Sequence, residues 1–111
     1  MIHHLMNGLI LKRVPRGTDP DQAHYDWFDI EMRDIQVGKT RCRIDPDRLI
    51  IYSIMIYPEY ERNGYGKAVI DYFKTRYPVI VADRVRFTAR SFWSRLGFVA
   101  ETEDRYLWKQ H

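Results

Sequence analysis

Residues 50–67 of this chain read Ile-Ile-Tyr-Ser-Ile-Met-Ile-Tyr-Pro-Glu-Tyr-Glu-Arg-Asn-Gly-Tyr-Gly-Lys. The first half is apolar and typical of a buried strand, and after the proline a polar turn with Gly64 and Gly66 leads into a helical pattern. Backbone N–H groups and the positive end of a helix converge at such a turn, and glycines let an anion come close. Arg62 and Lys67 add positive charge. The stretch predicts a phosphate-binding turn, although a glycine pair alone also fits an ordinary tight turn.

Length and composition indicate a single globular domain over residues 1–111. Hydrophobic residues make up 45% of the chain and charged residues 30%, which is an ordinary globular balance. The apolar runs are too short to cross a bilayer, so we expect no membrane association. The apolar patch in residues 1–11 precedes its basic residues, and it reads as a first strand instead of a signal peptide.

The charge balance is mildly basic, with 18 Lys and Arg against 15 Asp and Glu. The positive charges alternate with carboxylates, whereas nucleic-acid binders usually show a denser basic stripe, so we expect no nucleic-acid partner. Cys42 is the only cysteine, which excludes an internal disulfide and fits a cytoplasmic location. It is expected to pack as a small hydrophobe.

Periodicity and turn signals predict seven strands and two helices. The strands are expected at residues 9–14, 25–32, 35–44, 49–57, 79–82, 98–100 and 106–108, and the helices at residues 66–77 and 88–96. Gly38-Lys39 indicates a bulge or a short turn, and Thr88 is expected to cap the second helix. The order of these elements predicts an α+β domain around a mixed sheet.

A second informative segment, residues 89–98, reads Ala-Arg-Ser-Phe-Trp-Ser-Arg-Leu-Gly-Phe. Together with the turn at residues 61–66, it resembles the Gcn5-related N-acetyltransferase (GNAT) superfamily, which carries an acyl-CoA loop followed by an aromatic pair running into Leu-Gly-Phe. The resemblance covers about residues 25–108. It implies a mixed, mainly antiparallel sheet flanked by helices, with the N-terminal helical region reduced to about residues 17–24.

The resemblance also implies an activity, which is transfer of an acetyl group from acetyl-CoA to an amine of a small molecule or of a protein. The cleft would lie between the splayed strands at residues 49–57 and 79–82. There the Ile54 backbone N–H would polarise the thioester, and Ile56 would bind the pantetheine arm. The other residues expected to bind the cofactor are Glu61, Arg62, Asn63, Gly64, Tyr65, Gly66, Lys67 and Phe92.

Three positions depart from the pattern of the superfamily. Glu61 stands where Gln or Arg is usual, which places a carboxylate beside the proposed diphosphate. Trp93 replaces a tyrosine that protonates the departing thiolate in many relatives, and Ile50 replaces a general-base glutamate found in some. The acceptor proton would then go to one of four other groups, and a serine would replace the tyrosine. These candidates are Tyr52, Asp83, Glu31 and His24 for the base, and Ser91 or Ser94 for the relay.

Other interpretations stay open at this stage. The four histidines show no metal-ligand spacing, so no metal is predicted, and His3-His4 is expected to be a disordered terminus. Phe92 and Trp93 are expected to be core aromatics. The alternative function is a non-catalytic acyl-CoA-binding or protein-interaction module, and an RNA-binding domain has little support. The cleft is either open to a protein acceptor or completed by a second subunit of a homodimer.

Overall fold

The structure is a computed structural model that describes residues 2–5, 7–15 and 24–111. One sheet contains eight strands in the order β1-β2-β3-β4-β5-β6-β8-β7, and two helices pack against it. The strands are β1 (Ile2–His4), β2 (Leu9–Arg13), β3 (Asp26–Met32), β4 (Ile35–Asp45), β5 (Arg48–Ile56), β6 (Val79–Ala82), β7 (Val99–Ala100) and β8 (Tyr106–Lys109); the helices are α1 (Tyr65–Arg76) and α2 (Arg90–Arg95). Every strand pair is antiparallel except β5–β6. The α+β prediction is therefore confirmed, and neither described helix is long and apolar enough to cross a membrane.

The N-terminal histidines are ordered, so the prediction of a disordered terminus is wrong. They form β1, in which His3 pairs with Leu11 of β2. The His3 ring Nδ1 also lies 2.8 Å from the Tyr72 hydroxyl on α1. Burial and the nearby Arg76 lower the pKa of His3. The predicted reduced helical region falls mostly on residues 16–23, which lie outside the described residues.

Strand β5 is fully buried on only one face, and only in its first half. Leu49 and Ile51 are almost fully buried beneath α1, whose Ile70 and Phe73 belong to the same core cluster. Further along the strand, Met55 is 50% exposed. The prediction of a strand buried on both faces is therefore wrong, because Ile50 between the two buried residues is only partly buried and Met55 is half exposed.

The second helix is shorter than predicted. A 3-10 turn, Phe87–Ala89, precedes α2, and Thr88 makes no capping hydrogen bond, so the prediction of a Thr88 cap is wrong. The predicted end at Gly97 is confirmed by its left-handed φ of 87°. Lys74 of α1 donates a hydrogen bond to the Leu96 carbonyl, which fixes the end of α2 against α1.

Candidate functional site

A cavity of about 800 Å³ opens where β5 and β6 diverge. The two strands pair from Leu49 to Ile51, and the last hydrogen bond between them runs from the Asp83 N–H to the Ile51 carbonyl at 2.9 Å. Beyond this point β5 continues to Ile56 with β4 on one side and the cavity on the other. The lining residues come from β5, Arg41 of β4, the turn before α1 and its first residues, the loop after β6, and α2.

A bulge at Tyr52 sets which backbone groups of β5 face this cavity. Arg41 of β4 pairs with Ser53, but the next residue, Cys42, pairs with Ile51, so Tyr52 is an extra residue in the ladder. The Ile51 carbonyl is directed toward β6. Without the bulge, strict alternation along the strand would direct the backbone N–H and C=O groups of Ser53 toward β6 as well.

Downstream of the bulge the alternation is reversed. The Tyr57 N–H donates to the Val37 carbonyl of β4 at 2.8 Å, so Tyr57 is directed toward β4. By alternation Met55 is also directed toward β4, which leaves the backbone groups of Ile54 and Ile56 directed toward the cavity. The bulge therefore gives β5 two unpaired N–H groups at the position where the sequence predicted thioester and pantetheine contacts.

Gly38 allows β4 to approach this part of β5 closely. A Cβ atom at Gly38 would lie 2.1 Å from the Met55 carbonyl oxygen. The sequence indicated a bulge or turn at Gly38-Lys39, and the β3–β4 ladder does shift register next to it. Ile30 pairs with Gly38 and Glu31 with Gln36, so the extra residue is Val37. Close backbone approach accounts for the glycine.

At the other end of the cavity, a turn leads into α1. Gly64 is the N-cap residue with a left-handed φ of 77°, and the first helical hydrogen bond runs from the Ala68 N–H to the Gly64 carbonyl at 3.0 Å. The N–H groups of Tyr65, Gly66 and Lys67 therefore have no partner within the helix. The helix dipole makes this end positive. Such a group of free donors can bind a phosphate.

The polar side chains around the turn make different contacts. The Asn63 amide donates to the Tyr60 carbonyl at 2.9 Å, and it braces the turn instead of lining the cavity. Lys67 forms an ion pair with Asp71 at 2.6 Å along the helix. Arg62, at a left-handed φ of 68°, lines the cavity and has no carboxylate partner among the residues the structure describes. Arg62 is thus the side chain best placed to add charge to a bound diphosphate.

The aromatic pair of the second motif supports the turn. The Phe92 ring lines the cavity, and it would lie 3.2 Å from a Cβ atom at Gly66, so a larger residue there would make the ring shift by a few tenths of an ångström. Trp93 is 4% exposed and packs edge-on between Phe92 and Phe98, with ring centroids 5.1 and 4.9 Å away. Trp93 is thus a core aromatic, and its indole supplies no acid for the thiolate.

The cavity end near Tyr52 contains two arginines that the sequence did not single out. The guanidinium carbon of Arg41 lies 5.0 to 5.6 Å from the ring centroids of Tyr25, Trp27 and Tyr52. The guanidinium of Arg84 lies 5.3 Å from the Tyr52 ring. No periodicity pointed to these contacts, because they join three strands and a loop.

The candidate proton-transfer groups are separated by the fold. Tyr52 and Asp83 line the cavity, and one Asp83 carboxylate oxygen lies 4.0 Å from Arg105. Ser91 is exposed on α2 and lies outside the lining. Three other candidates also lie outside the lining: Ser94, Glu31 and His24. Among the described residues no three His, Cys, Asp or Glu side chains form a metal-binding group.

Cys42 is buried in the core below the bulge, as expected. It is fully inaccessible, and its sulfur lies 3.5 Å from the Thr40 hydroxyl. Burial raises the pKa of the Cys42 thiol to about 12. A thiol in this state is a poor nucleophile, so Cys42 has a packing role.

Comparison with known proteins gives relatives by sequence and by fold. No protein-family model matches the chain. An uncharacterized N-acetyltransferase of Bacillus velezensis is 30% identical over 71 residues, which cover 56% of this chain and 43% of the relative. The match thus spans less than half of that relative.

Two solved structures share the fold over nearly the whole chain. A GNAT acetyltransferase of Elizabethkingia anophelis with acetyl-CoA bound has a TM-score of 0.66 at 11% identity, over 94% of this chain and 99% of its own. RimL, a ribosomal L7/L12 α-N-protein acetyltransferase, has a TM-score of 0.71 at 13% identity, over 98% of each chain. The chain therefore has the fold of the Gcn5-related N-acetyltransferases, and about half of it is similar in sequence to a protein named as an N-acetyltransferase.

Proposed function

We propose that this protein transfers an acetyl group from acetyl-CoA to a primary amine within a ternary complex. One observation carries the proposal: the bulge at Tyr52 directs the N–H groups of Ile54 and Ile56 into a cavity that ends at the N-terminus of α1. A strand edge with free donors and a helix N-terminus match the two polar parts of an acyl-CoA, its amide-bearing arm and its diphosphate. The acetyl-CoA bound to the E. anophelis relative agrees with this assignment.

In this proposal the backbone supplies most of the contacts to acetyl-CoA. The diphosphate binds the N–H groups at residues 62–67 and the Arg62 side chain. The pantetheine arm pairs with the open edge at Ile56, and the Ile54 N–H donates to the thioester carbonyl. Lys67 contributes its backbone, because its ammonium group is already paired with Asp71.

The reaction needs a neutral amine and a stabilised oxyanion. The amine nitrogen attacks the thioester carbon, the new C–N bond forms, and the C–S bond breaks as the thiolate departs with its electron pair. The Ile54 N–H stabilises the oxyanion that forms in between. Holding amine and thioester side by side supplies much of the acceleration.

The proton of the acceptor ammonium goes to a group at the Tyr52 end of the cavity. Tyr52 and Asp83 are the two candidates from the sequence that line the cavity there. Ser91 is exposed outside the lining, so we assign it no step. The CoA thiolate is a good leaving group, and its departure needs no dedicated acid.

The acceptor is a small molecule or a protein amine. RimL, which shares the fold, is named for acetylation of a protein α-amine, and this favours testing peptides beside small amines. A homodimer that completes the cleft stays a prediction, and the sedimentation coefficient in solution tests it.

The test is a thiol-release assay with acetyl-CoA over small amines, peptides and proteins. Because Cys42 is buried, the reagent reports CoA and not the protein. We expect turnover with at least one amine class and a higher melting temperature with acetyl-CoA, since ligand binding stabilises the folded state. Absence of both effects at millimolar acetyl-CoA would overturn the proposal.

A paired substitution tests the role of Ile54. Ile54→Pro removes an N–H that makes no ladder bond, whereas Met55→Pro removes one that pairs with β4. We expect Ile54→Pro to remain folded and to lose about 100-fold or more in kcat, as when an oxyanion donor is removed. Met55→Pro should instead lose stability. Full activity in Ile54→Pro would contradict this assignment.

A second candidate function is acyl-CoA binding without catalysis. The buried Trp93, which supplies no acid, and Ile50 on β5 at the expected general-base position favour it. It predicts a raised melting temperature with acetyl-CoA and no thiol release with any amine. Thiol release above background would instead show that the protein catalyses acetyl transfer.

A further inference from the structure

We infer that the acceptor is an anionic amine, with a carboxylate or phosphate a few bonds from the amino group, and that Arg41 and Arg84 bind this anion. The inference rests on the proposed acetyl transfer and names the substrate class of the same cavity. It is drawn from the end of the cavity that acetyl-CoA would leave free, beyond Ile54 in the direction of Ile51. Both arginines line this end, and each guanidinium lies within 5.6 Å of the Tyr52 ring centroid.

Arg41 is held in place without a counter-charge. Its guanidinium lies among the rings of Tyr25, Trp27 and Tyr52, and its Nε is buried and has no hydrogen-bond acceptor. A buried donor without an acceptor costs free energy. Aromatic stacking fixes the guanidinium plane but satisfies none of its N–H groups. An anion that enters the cavity would supply the missing acceptor.

Arg84 is presented by a strained backbone. It has a left-handed φ of 57°, which is uncommon for a non-glycine residue, and such strain often occurs at functional sites. The loop is fixed by hydrogen bonds on both sides, from Asp83 N–H to Ile51 and from Val85 N–H to Asp104, at 2.9 and 2.8 Å. These bonds hold the arginine at the wall of the cavity.

The local charge favours an anion. No carboxylate of the described residues forms an ion pair with Arg41 or Arg84. The nearby acidic group, Asp83, accepts from the Arg84 N–H at 3.0 Å and faces Arg105 at 4.0 Å. Arg86 lines the same cavity and adds a further positive charge. An amine without an anion would meet a wall of excess positive charge.

The spacing sets how far the anion lies from the amine. Arg41 pairs with Ser53, the residue next to Ile54. With a strand rise of about 3.3 Å per residue, Tyr52 lies about 7 Å from Ile54. An amine at the thioester therefore places a group a few bonds away within reach of the two guanidiniums. A carboxylate and a phosphate both fit this chemistry.

Matched acceptor pairs test the inference in the thiol-release assay. The pairs are 4-aminobutyrate against butylamine, 2-aminoethylphosphonate against ethylamine, and a peptide beginning with Asp against one beginning with Asn. Rates are compared at equal concentrations of free base, because the anionic group changes amine basicity. We expect kcat/KM to be about 10-fold or more higher for the anionic member of at least one pair, and the preferred pair identifies carboxylate, phosphonate or peptide as the source.

Substitutions then assign the effect to the two arginines. Arg41→Gln and Arg84→Gln should each raise KM for the anionic amine about 10-fold relative to KM for the neutral amine, and leave CoA affinity unchanged. Arg84→Lys should restore part of the effect. Arg48→Gln is the matched control, because Arg48 lies on β5 and pairs with Asp47 at 3.5 Å outside the cavity lining.

The outcomes separate this inference from the proposed function. If neutral and anionic amines are used equally, or if both arginine variants lose the neutral and the anionic amine alike, the anion site is wrong while acetyl transfer stands. If no amine releases thiol, the proposed function itself fails. A circular dichroism spectrum and the CoA affinity of each variant verify that it is folded.

Discussion

The two ends of the cavity are built in different ways. At the turn end, contiguous residues 62–67 present backbone N–H groups, while the Asn63 and Lys67 side chains pair within the turn and the helix. At the other end, Arg41, Tyr52 and Arg84 come from two strands and a loop and present side chains fixed by stacking. The turn should therefore tolerate side-chain changes but not backbone changes, whereas the Tyr52 end depends on strand register.

The reaction rate of the buried Cys42 thiol tests whether the pairing register of β4 and β5 at the Tyr52 end is rigid. At pH 8 a thiol with a pKa of about 12 is ionised in about one molecule in ten thousand, and this one is buried as well. We expect a thiol reagent to modify native Cys42 at least about 1,000-fold more slowly than in denaturant. Rapid modification in the native protein would mean that the β4–β5 ladder opens readily. The strand register at the Tyr52 end of the cavity would then not be rigid.

Gly38→Ala should produce the largest loss of stability. The new Cβ would meet the Met55 carbonyl oxygen at 2.1 Å, so β4 and β5 must move apart. We expect the free energy of unfolding in urea to fall by about 3 kcal/mol, near the upper range for overpacking. Lys39→Ala on the same strand is the control. A Gly38→Ala protein of unchanged stability would show that the strands approach less closely than described.

Gly64→Ala should affect both stability and CoA binding. Nothing lies within 4 Å of the added methyl group, but the φ of 77° is strained for alanine by about 1 kcal/mol. A shifted turn should weaken CoA binding about 10-fold, as measured by calorimetry. Gly97→Ala, at a φ of 87° outside the cavity, should have the same stability cost without the binding loss. Equal CoA affinities of the two variants would show that the turn at Gly64 does not bind the phosphates of CoA.

Glu61→Gln should give the smallest effect, and it should be a gain. The carboxylate lines the cavity beside the proposed diphosphate and repels it. Removing this exposed charge should tighten CoA binding about two- to five-fold at low salt, and the gain should shrink at high salt. Glu59→Gln changes the net charge equally outside the lining and should leave the affinity unchanged. Weaker binding in Glu61→Gln would mean that the carboxylate supports the turn.

The contrast between the ends also explains what the sequence predicted. The turn at residues 61–67 was predictable because its glycines, helix start and motif are contiguous. The bulge at Tyr52 left no local signal, since it exists only in the pairing of β5 with β4. The cluster around Arg41 was missed for the same reason, because register brings these side chains together.

Amide hydrogen exchange along β5 tests the central claim, that the bulge directs Ile54 and Ile56 into the acyl-CoA site. In the free protein we expect the N–H groups of Ser53 and Met55 to be protected by the ladder and those of Ile54 and Ile56 to exchange fast. Saturating acetyl-CoA should protect Ile54 and Ile56 and leave the other two unchanged. The account is contradicted if Ile54 and Ile56 are already protected in the free protein, or if acetyl-CoA binds without slowing their exchange.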